Sequence, residues 1–336
     1  MKVFFDTRQN DHAPAREMHN GAWMPYSEQP SRAAAILNQL ADFCPARDHG
    51  IDPILAVHDR AYVDFLKVAH ADWLAAGREG DAIGYTFPVV ARRPLRLDRI
   101  DARLGAYSYD AGTPIAAGTW DAAYWSAQTA LSALDALAAG ERHAFALCRP
   151  PGHHAGRDYM GGYCYLNNAA IAAEAARSQG FSRVAILDVD YHHGNGTQDI
   201  FAEDADTFFC SIHADPSTDY PFYWGHADED GIGAGRGATL NLPLPRGTGG
   251  ENYLAVLDSA MAAIAARTPD LLVLSFGADT HASDPICAFD LDRDDFRAMA
   301  RRIAAPGIPV LIVMEGGYAV DDLGHNVSAF LSGFTA

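Results

Sequence analysis

Short runs of continuous apolar residues recur along the chain, separated by longer stretches whose apolar positions return every three or four residues. The runs Lys2–Phe5, Ala144–Cys148, Val184–Val189, Thr207–His213, Thr239–Leu242, Leu271–Phe276 and Pro309–Met314 have the length of buried strands. Between them, Trp120–Ala139, Asn168–Gln179, Tyr253–Ala266, Asp294–Ala304 and Leu323–Leu331 carry a helical period and many alanines. Thr119 stands where an N-cap belongs, and Gly140 and Gly180 where a left-handed residue would close a helix. Strands that are apolar on both faces and alternate with helices predict an α/β fold, a central and mainly parallel multi-stranded sheet flanked by helices on both faces. No Pro/Ser/Gly-rich linker, repeat or low-complexity tract divides the chain, so residues 1–336 are expected to form a single domain.

In such a sheet, ligands bind beyond the carboxyl ends of the strands. The polar clusters obey that rule: RPPGHH follows the Ala144 strand, DVDYHHGNG ends the Val184 strand, GADTHASDP the Leu271 strand, and EGGY the Pro309 strand. Asp190 and His192 are two apart, and period-two geometry points both side chains the same way. With Asp279 as a third donor, two carboxylates and one imidazole suit a catalytic divalent ion, zinc being favoured among nitrogen–oxygen sites. An isolated D-x-H more often only caps a strand end; here Asp279 and the histidine pair stand in matching positions. His153 and His154 follow a rigid Pro-Pro-Gly turn that can aim adjacent imidazoles into a cleft. A neutral imidazole there can take a proton from water and return it to a departing amine. Asp188 and Asn195 are the available partners for fixing its tautomer. Tyr318, after a glycine pair, can donate to a developing oxyanion, although alone it would read as an ordinary half-buried tyrosine.

Taken together, RPPGHHA, GGYCYLNNAA, LDVDYHHGNGTQDIF, GADTHASDP and EGGY resemble the histone deacetylase superfamily, over nearly the whole chain. The resemblance implies a single-domain, arginase-like α/β fold, with one zinc ion per subunit held by Asp190, His192 and Asp279. It implies His154 as general base, Tyr318 as the carbonyl-polarising group, and His153, backed by Asp188, as electrostatic partner and proton donor. Within the superfamily, DHAPAREMHNGAWMPYSEQPSRAAAIL and the insert REGDAIGYTFPVVARRP, near residues 78–97, resemble the bacterial acetylpolyamine amidohydrolases. That likeness implies a homodimer whose partner narrows the active-site channel. It also implies Tyr163 and Tyr220 as the aromatic pair of the acyl tunnel, Gly162 as the backbone contact beside it, and Asp110 as an acidic rim residue. Asp121 is a weaker second rim residue, equally readable as a helix first-turn carboxylate. The family further implies a structural monovalent cation, potassium, near Asp188, Asp190, His192, Ser211 and Ile212, with Phe201 marking a second such site.

Two positions depart from relatives in the superfamily. Asn195 stands where many lysine deacetylases carry Asp; a neutral amide stabilises an imidazolium less, so His154 is expected to be a weaker base than with a carboxylate partner. Ile286 replaces an acidic gatekeeper of some polyamine-selective relatives, so selectivity for a cation falls to Asp110, the dimer rim or the overall field. A formal charge of −18 fits the last of these: an acidic surface favours a small cationic partner and disfavours nucleic acid. No apolar run of about 18 residues predicts a membrane span, and the N-terminus turns polar too early for a signal peptide, so a cytoplasmic setting is expected. The five scattered cysteines, without a CxxC pair, predict reduced and mostly buried thiols. Gly233-Ala-Gly235-Arg-Gly237-Ala238 matches a dinucleotide-binding pattern but lacks the strand before and the helix after that it needs.

The expected reaction is therefore hydrolysis of the acetyl amide of acetylated polyamines of the acetylputrescine and acetylcadaverine type. Alternatives are a deacetylase of acetyl-lysine in proteins, an arginase-like ureohydrolase, which would need two metal ions and more carboxylate ligands, and a catalytically silent metal-binding protein.

Overall fold

The structure is a computed structural model that describes residues 1–40, 42–88 and 97–335. Its strands are β1 (Lys2–Phe4), β2 (Arg16–His19), β3 (Ala22–Pro25), β4 (His143–Ala146), β5 (Val184–Asp188), β6 (Thr207–Ala214), β7 (Thr239–Leu244), β8 (Leu271–Phe276) and β9 (Val310–Met314). Its helices are α1 (Pro30–Leu37), α2 (Asp52–Leu55), α3 (Arg60–Ala75), α4 (Ile100–Ala106), α5 (Thr119–Ala138), α6 (Asn168–Ser178), α7 (Asn195–Phe201), α8 (Gly250–Ala266), α9 (Arg293–Ala304) and α10 (Val320–Ser332). Seven strands form one sheet in the order β1-β4-β9-β8-β5-β6-β7, and every pairing is parallel.

Side-chain alternation along these strands builds two cores. Val184 and Ile186 face one side of the sheet with Ala144, Ala146 and Val273, where they meet α3, α5 and α6. Ala185 and Leu187 face the other side with Phe145 and Leu272, against α1, α8, α9 and α10. A continuous apolar run is what a strand covered on both faces requires. Helix α9 shows how local sequence fixes an element. Asp292 caps it, accepting from Asp294 N at 2.8 Å and Asp295 N at 3.0 Å, and Asp295 returns a bond to Asp292 N. Phe296, Met299, Ala300 and Ile303, at helical spacing, are the residues it buries. Each large apolar side chain so buried contributes roughly 2 kcal/mol.

The seven strands of the parallel sheet lie within two residues of the expected ends and the five expected helices are present, whereas the β2–β3 hairpin was not expected. Gly140 and Gly180 take φ of +104° and +98° just beyond α5 and α6. Thr119 corrects the expectation: Gly118 is the N-cap and Thr119 the first helical residue, its hydroxyl accepting instead from Ala116 N at 2.8 Å. Gly233–Gly235 is a single 3₁₀ turn, without the strand–helix setting of a dinucleotide site. The five cysteines are unpaired, and Cys148, Cys164 and Cys210 are buried. Among the described residues, no helix is long and apolar enough to cross a membrane. Of the insert near residues 78–97, positions 89–96 lie outside the described residues.

For function, the strand order is what counts. The four strands that end in polar clusters are β4, β9, β8 and β5, which are consecutive neighbours in the sheet. RPPGHH, EGGY, GADTH and DVDYHH therefore emerge side by side at one edge.

Candidate active site

The histidine turn after β4 is pinned from the neighbouring strands. Glu315, just past β9, accepts through one carboxylate oxygen from Gly152 N at 2.7 Å and His153 N at 3.1 Å. Its other oxygen accepts from the hydroxyl of Ser275 in β8 at 3.0 Å. The two imidazoles so presented lie 4.0 Å apart by ring centroid, and their partners give them opposite characters. His153 Nδ1 meets Asp188 Oδ2 at 2.9 Å. Burial opposes a charge on His153, but the carboxylates of Asp188 and Asp190 outweigh it and push the imidazole up to about 10. His154 Nδ1 lies 2.7 Å from the side-chain oxygen of Asn195. An amide oxygen only accepts, so Nδ1 carries the hydrogen and Nε2 keeps the free lone pair of a base. Burial holds His154 well below its ordinary value, helped by His153 and His192, while its bond to Asn195 acts the other way. The low proton affinity of His154 therefore comes from burial and its imidazole neighbours and not from the neutrality of Asn195.

Asp190 and His192, past β5, turn the same way as their spacing predicts, and Asp279, past β8, joins them from the neighbouring strand. His192 Nδ1 lies 3.2 Å from Asp190 Oδ1 and 3.3 Å from Asp279 Oδ2. The remaining carboxylate oxygens are held by main-chain donors: Asp190 Oδ2 accepts from Gly316 N at 2.8 Å and Asp279 Oδ1 from Tyr191 N at 3.0 Å. Asp279 Oδ2 is buried and has no hydrogen-bond partner among the described residues. As a bare carboxylate, Asp279 is pushed up to about 7 by burial and by the charge of Asp190. Two buried acidic groups and an imidazole, with one oxygen unsatisfied, form an arrangement that a divalent cation completes. Cys287 also approaches; its sulfur and donor atoms of His192 and Asp279 lie within 4.8 Å of one another. Burial and the charges of Asp279 and Asp284 push that thiol well up.

Tyr318 is held by groups that sequence reasoning missed. Its N–H donates to Asp284 at 2.7 Å. Fully buried Arg32 of α1 donates to the carbonyls of Gly317 and Glu315, each at 2.6 Å, and to Glu28 at 2.7 Å. The same guanidinium stands 4.9 Å from the Tyr318 ring. Burial raises the phenol well above its ordinary value, so it remains a hydrogen-bond donor. Glu28 precedes the N-cap of α1 and Arg32 lies in its first turn, so their pairing depends on how the chain enters the helix, which no helical spacing announces.

Tyrosines wall the approach. The Tyr163 ring packs edge-on against Tyr318 at 5.6 Å, and Tyr220 lies edge-on to His154 at 5.2 Å and to His192 at 5.9 Å. Gly162 sits so close to His154 that a Cβ there would run into the imidazole. Asp110 accepts from Gly162 N at 2.7 Å and from the Tyr220 hydroxyl at 2.8 Å. Glu17 of β2, also missed, accepts from the Tyr163 hydroxyl at 3.1 Å and from Ser27 at 3.2 Å. Its second oxygen is buried without a partner among the described residues, and burial with the nearby charge of Asp110 pushes it up to about 7. Ile286, on the loop after β8, is 43% exposed.

Other expected residues fall outside this cluster. Ser211 stands opposite Asp188 in the β5–β6 register, its hydroxyl 2.8 Å from His213, and buried Ile212 follows it. Phe201 is the buried last residue of α7. Asp121 is exposed in the first turn of α5, where its field bears on Arg8, and no hydrogen bond or ion pair among the described residues joins it to the site.

A buried imidazole of low proton affinity, a buried phenol and a cluster of two carboxylates and an imidazole, gathered at neighbouring strand ends, are the kinds of groups that metal-assisted amide hydrolysis uses. The chain belongs to the histone deacetylase family, whose domain model, described as histone deacetylase domain, matches residues 26–334. It is 50% identical to acetylpolyamine amidohydrolase 1 of Pseudomonas aeruginosa, over 96% of this chain and 95% of that one. It is 44% identical to the acetylpolyamine amidohydrolase of Mycoplana ramosa, over 99% of each. The crystal structure of the acetylpolyamine aminohydrolase from Burkholderia pseudomallei superposes with a TM-score of 0.96 at 40% identity, covering 100% of this chain and 99% of that one.

Proposed function

We propose that the protein is a zinc-dependent hydrolase that removes the acetyl group from acetylated polyamines of the acetylputrescine and acetylcadaverine type. The observation that carries this reading is the convergence of Asp190, His192 and Asp279 beside His154 and Tyr318, in an approach bordered by tyrosines and the acids Asp110 and Glu17. Relatives named for acetylpolyamine hydrolysis cover nearly the whole chain.

When held by Asp190, His192 and Asp279, the metal supplies Lewis acidity toward the acetyl carbonyl and acidifies a water. His154 Nε2 takes the proton of the attacking water while the Tyr318 hydroxyl donates to the developing oxyanion. His154 then returns the proton to the departing nitrogen, releasing acetate and free amine. The His153 imidazolium, fixed by Asp188, stabilises the negative charge and is the second source of that proton. The tyrosine walls admit a methylene chain, and Asp110 with Glu17 favours an ammonium at its far end.

The same reading includes a structural potassium ion near Asp188, Asp190, His192, Ser211 and Ile212, a second at Phe201, a single domain and a cytoplasmic setting. It also includes a homodimer. Trp23, Met24 and Tyr85 are large apolar side chains left exposed on the β2–β3 hairpin and the insert, which Ala15 N and Asp81 join at 2.9 Å.

A turnover comparison tests the substrate class. We expect kcat/KM for acetylputrescine to exceed that for an acetyl-lysine peptide at least tenfold; preference for the peptide would reverse the reading. Glu17 adds a pH dependence. Its carboxyl is neutral below about 7 and anionic above, so KM for acetylputrescine should fall as pH rises through 7. Glu17→Gln should flatten that fall, and an equally steep fall in the variant would remove Glu17 from substrate binding.

A further inference from the structure

A row of oxygen atoms runs from the rim of the site to the partner of the base. Asp110 Oδ2 lies 2.8 Å from the Tyr220 hydroxyl, which lies 2.5 Å from the Tyr109 hydroxyl. Tyr109 in turn lies 3.4 Å from Asn195 Oδ1, the atom that accepts from His154 Nδ1 at 2.7 Å. Burial, with the nearby charge of Asp110, pushes both phenols well above their ordinary values, so each keeps its one hydrogen. Asp110 and Asn195 Oδ1 are acceptors only. The row therefore has three oxygen–oxygen gaps and two hydrogens to fill them, and one gap is always without a hydrogen.

The distances say which gap that is. The longest, at 3.4 Å, lies between Tyr109 and Asn195, at the outer limit of a hydrogen bond, and the two shorter gaps lie on the Asp110 side, which favours both hydroxyls turned toward that carboxylate when the rim is empty. An ammonium arriving at Asp110 brings its own hydrogens to Oδ2 and cancels the pull of the carboxylate. The Tyr220 hydrogen is then free to turn to Tyr109, and the Tyr109 hydrogen to Asn195. No proton changes owner; two hydroxyls rotate.

We propose that Tyr109 is a positioning residue through which a cationic group at the rim is reported to the base. With the row reversed, Asn195 Oδ1 receives two donors, Tyr109 and His154, and its amide is locked in the orientation that keeps His154 Nε2 free for the water. An uncharged amide of the same length leaves the row pointing outward and Asn195 held by His154 alone. Charge at the rim thus raises turnover as well as binding. This rests on the reading that acetylated amines place their ammonium at Asp110, and it adds a selectivity that acts on kcat.

The test compares acetylputrescine with N-pentylacetamide, in which a methyl replaces the ammonium, on the zinc-loaded native enzyme and on Tyr109→Phe. The variant keeps the ring that packs against Gly161, Tyr159 and Trp224 and loses only the hydroxyl. The kcat ratio of charged to uncharged substrate should fall about three- to tenfold, the scale of one hydrogen bond, while the KM ratio holds. Tyr220→Phe, which breaks the row at its next link, should lower the same ratio. An unchanged ratio, whether kcat holds or falls equally on both substrates, would overturn the relay and leave Tyr109 merely structural; the substrate reading survives that result. Failure of the native enzyme on acetylputrescine would instead sink the substrate reading and the relay with it.

Discussion

Replacing Asp279 with asparagine should lower turnover about a thousandfold or more and leave the purified protein with much less than one metal ion per chain. The argument is electrostatic. Asp279 Oδ2 is buried without a hydrogen-bond partner among the described residues and faces His192 at 3.3 Å, so its place in the fold is explained by a cation and by little else. An amide at that position keeps the bond from Tyr191 N but brings no charge, and loss of one anionic ligand weakens a site that has only two. Several kcal/mol of transition-state stabilisation by the metal correspond to the stated loss of rate. The fold should not suffer. Burial and Asp190 raise the folded-state value of Asp279 to about 7, from an ordinary 3.8. A carboxyl raised in this way favours folding while protonated; as pH climbs from 3.8 toward 7 its ionisation costs stability, and above 7 that cost is full. At neutral pH the metal-free variant should therefore unfold no sooner than metal-free native protein. Elemental analysis with acetate-release kinetics reads the first effect and thermal unfolding the second; full activity with metal retained in the variant would contradict the assignment.

His154→Ala should lower kcat by roughly a hundred- to ten-thousandfold, with metal content unchanged. His154 takes no part in the ligand cluster: its Nδ1 is committed to Asn195, and its ring stands 5.9 Å from that of His192. Removing it deletes the one neutral imidazole poised for proton transfer, because His153 is held charged by Asp188 and Asp190 at neutral pH. The loss should fall on kcat with little change in KM, and the acid limb of the rate profile should vanish with the base. Activity within tenfold of native, at equal metal content, would assign proton transfer elsewhere.

The parallel sheet and the metal cluster were legible because each rests on short-range regularities. Continuous apolar runs marked β5, β8 and β9, and the D-x-H spacing placed two donors on one side of a strand end. The hairpin β2–β3 was not legible: its residues are mostly exposed and show no alternation, so nothing in REMH or AWMP announces a strand. Glu17 was missed with it, since its importance comes from Tyr163, far away in sequence. Arg32, Asp284 and Glu315 escaped for the same reason, because what they hold is main chain of loops that meet only in the folded sheet. Thr119 misled because a threonine before a helical run is a common cap, whereas here its hydroxyl is already bonded to Ala116 N and faces His12. The low proton affinity of His154 was read from the neutrality of Asn195, whereas its cause is burial, which depends on packing that no local motif displays, and the bond to Asn195 acts the other way.

Titrating the metal-stripped protein with zinc while following acetate release from acetylputrescine tests the central claim most directly. Activity should be absent at the start and rise in proportion to added metal up to one equivalent per chain. Turnover by the stripped protein, or a rise that continues to two equivalents, would contradict a single ion held by Asp190, His192 and Asp279.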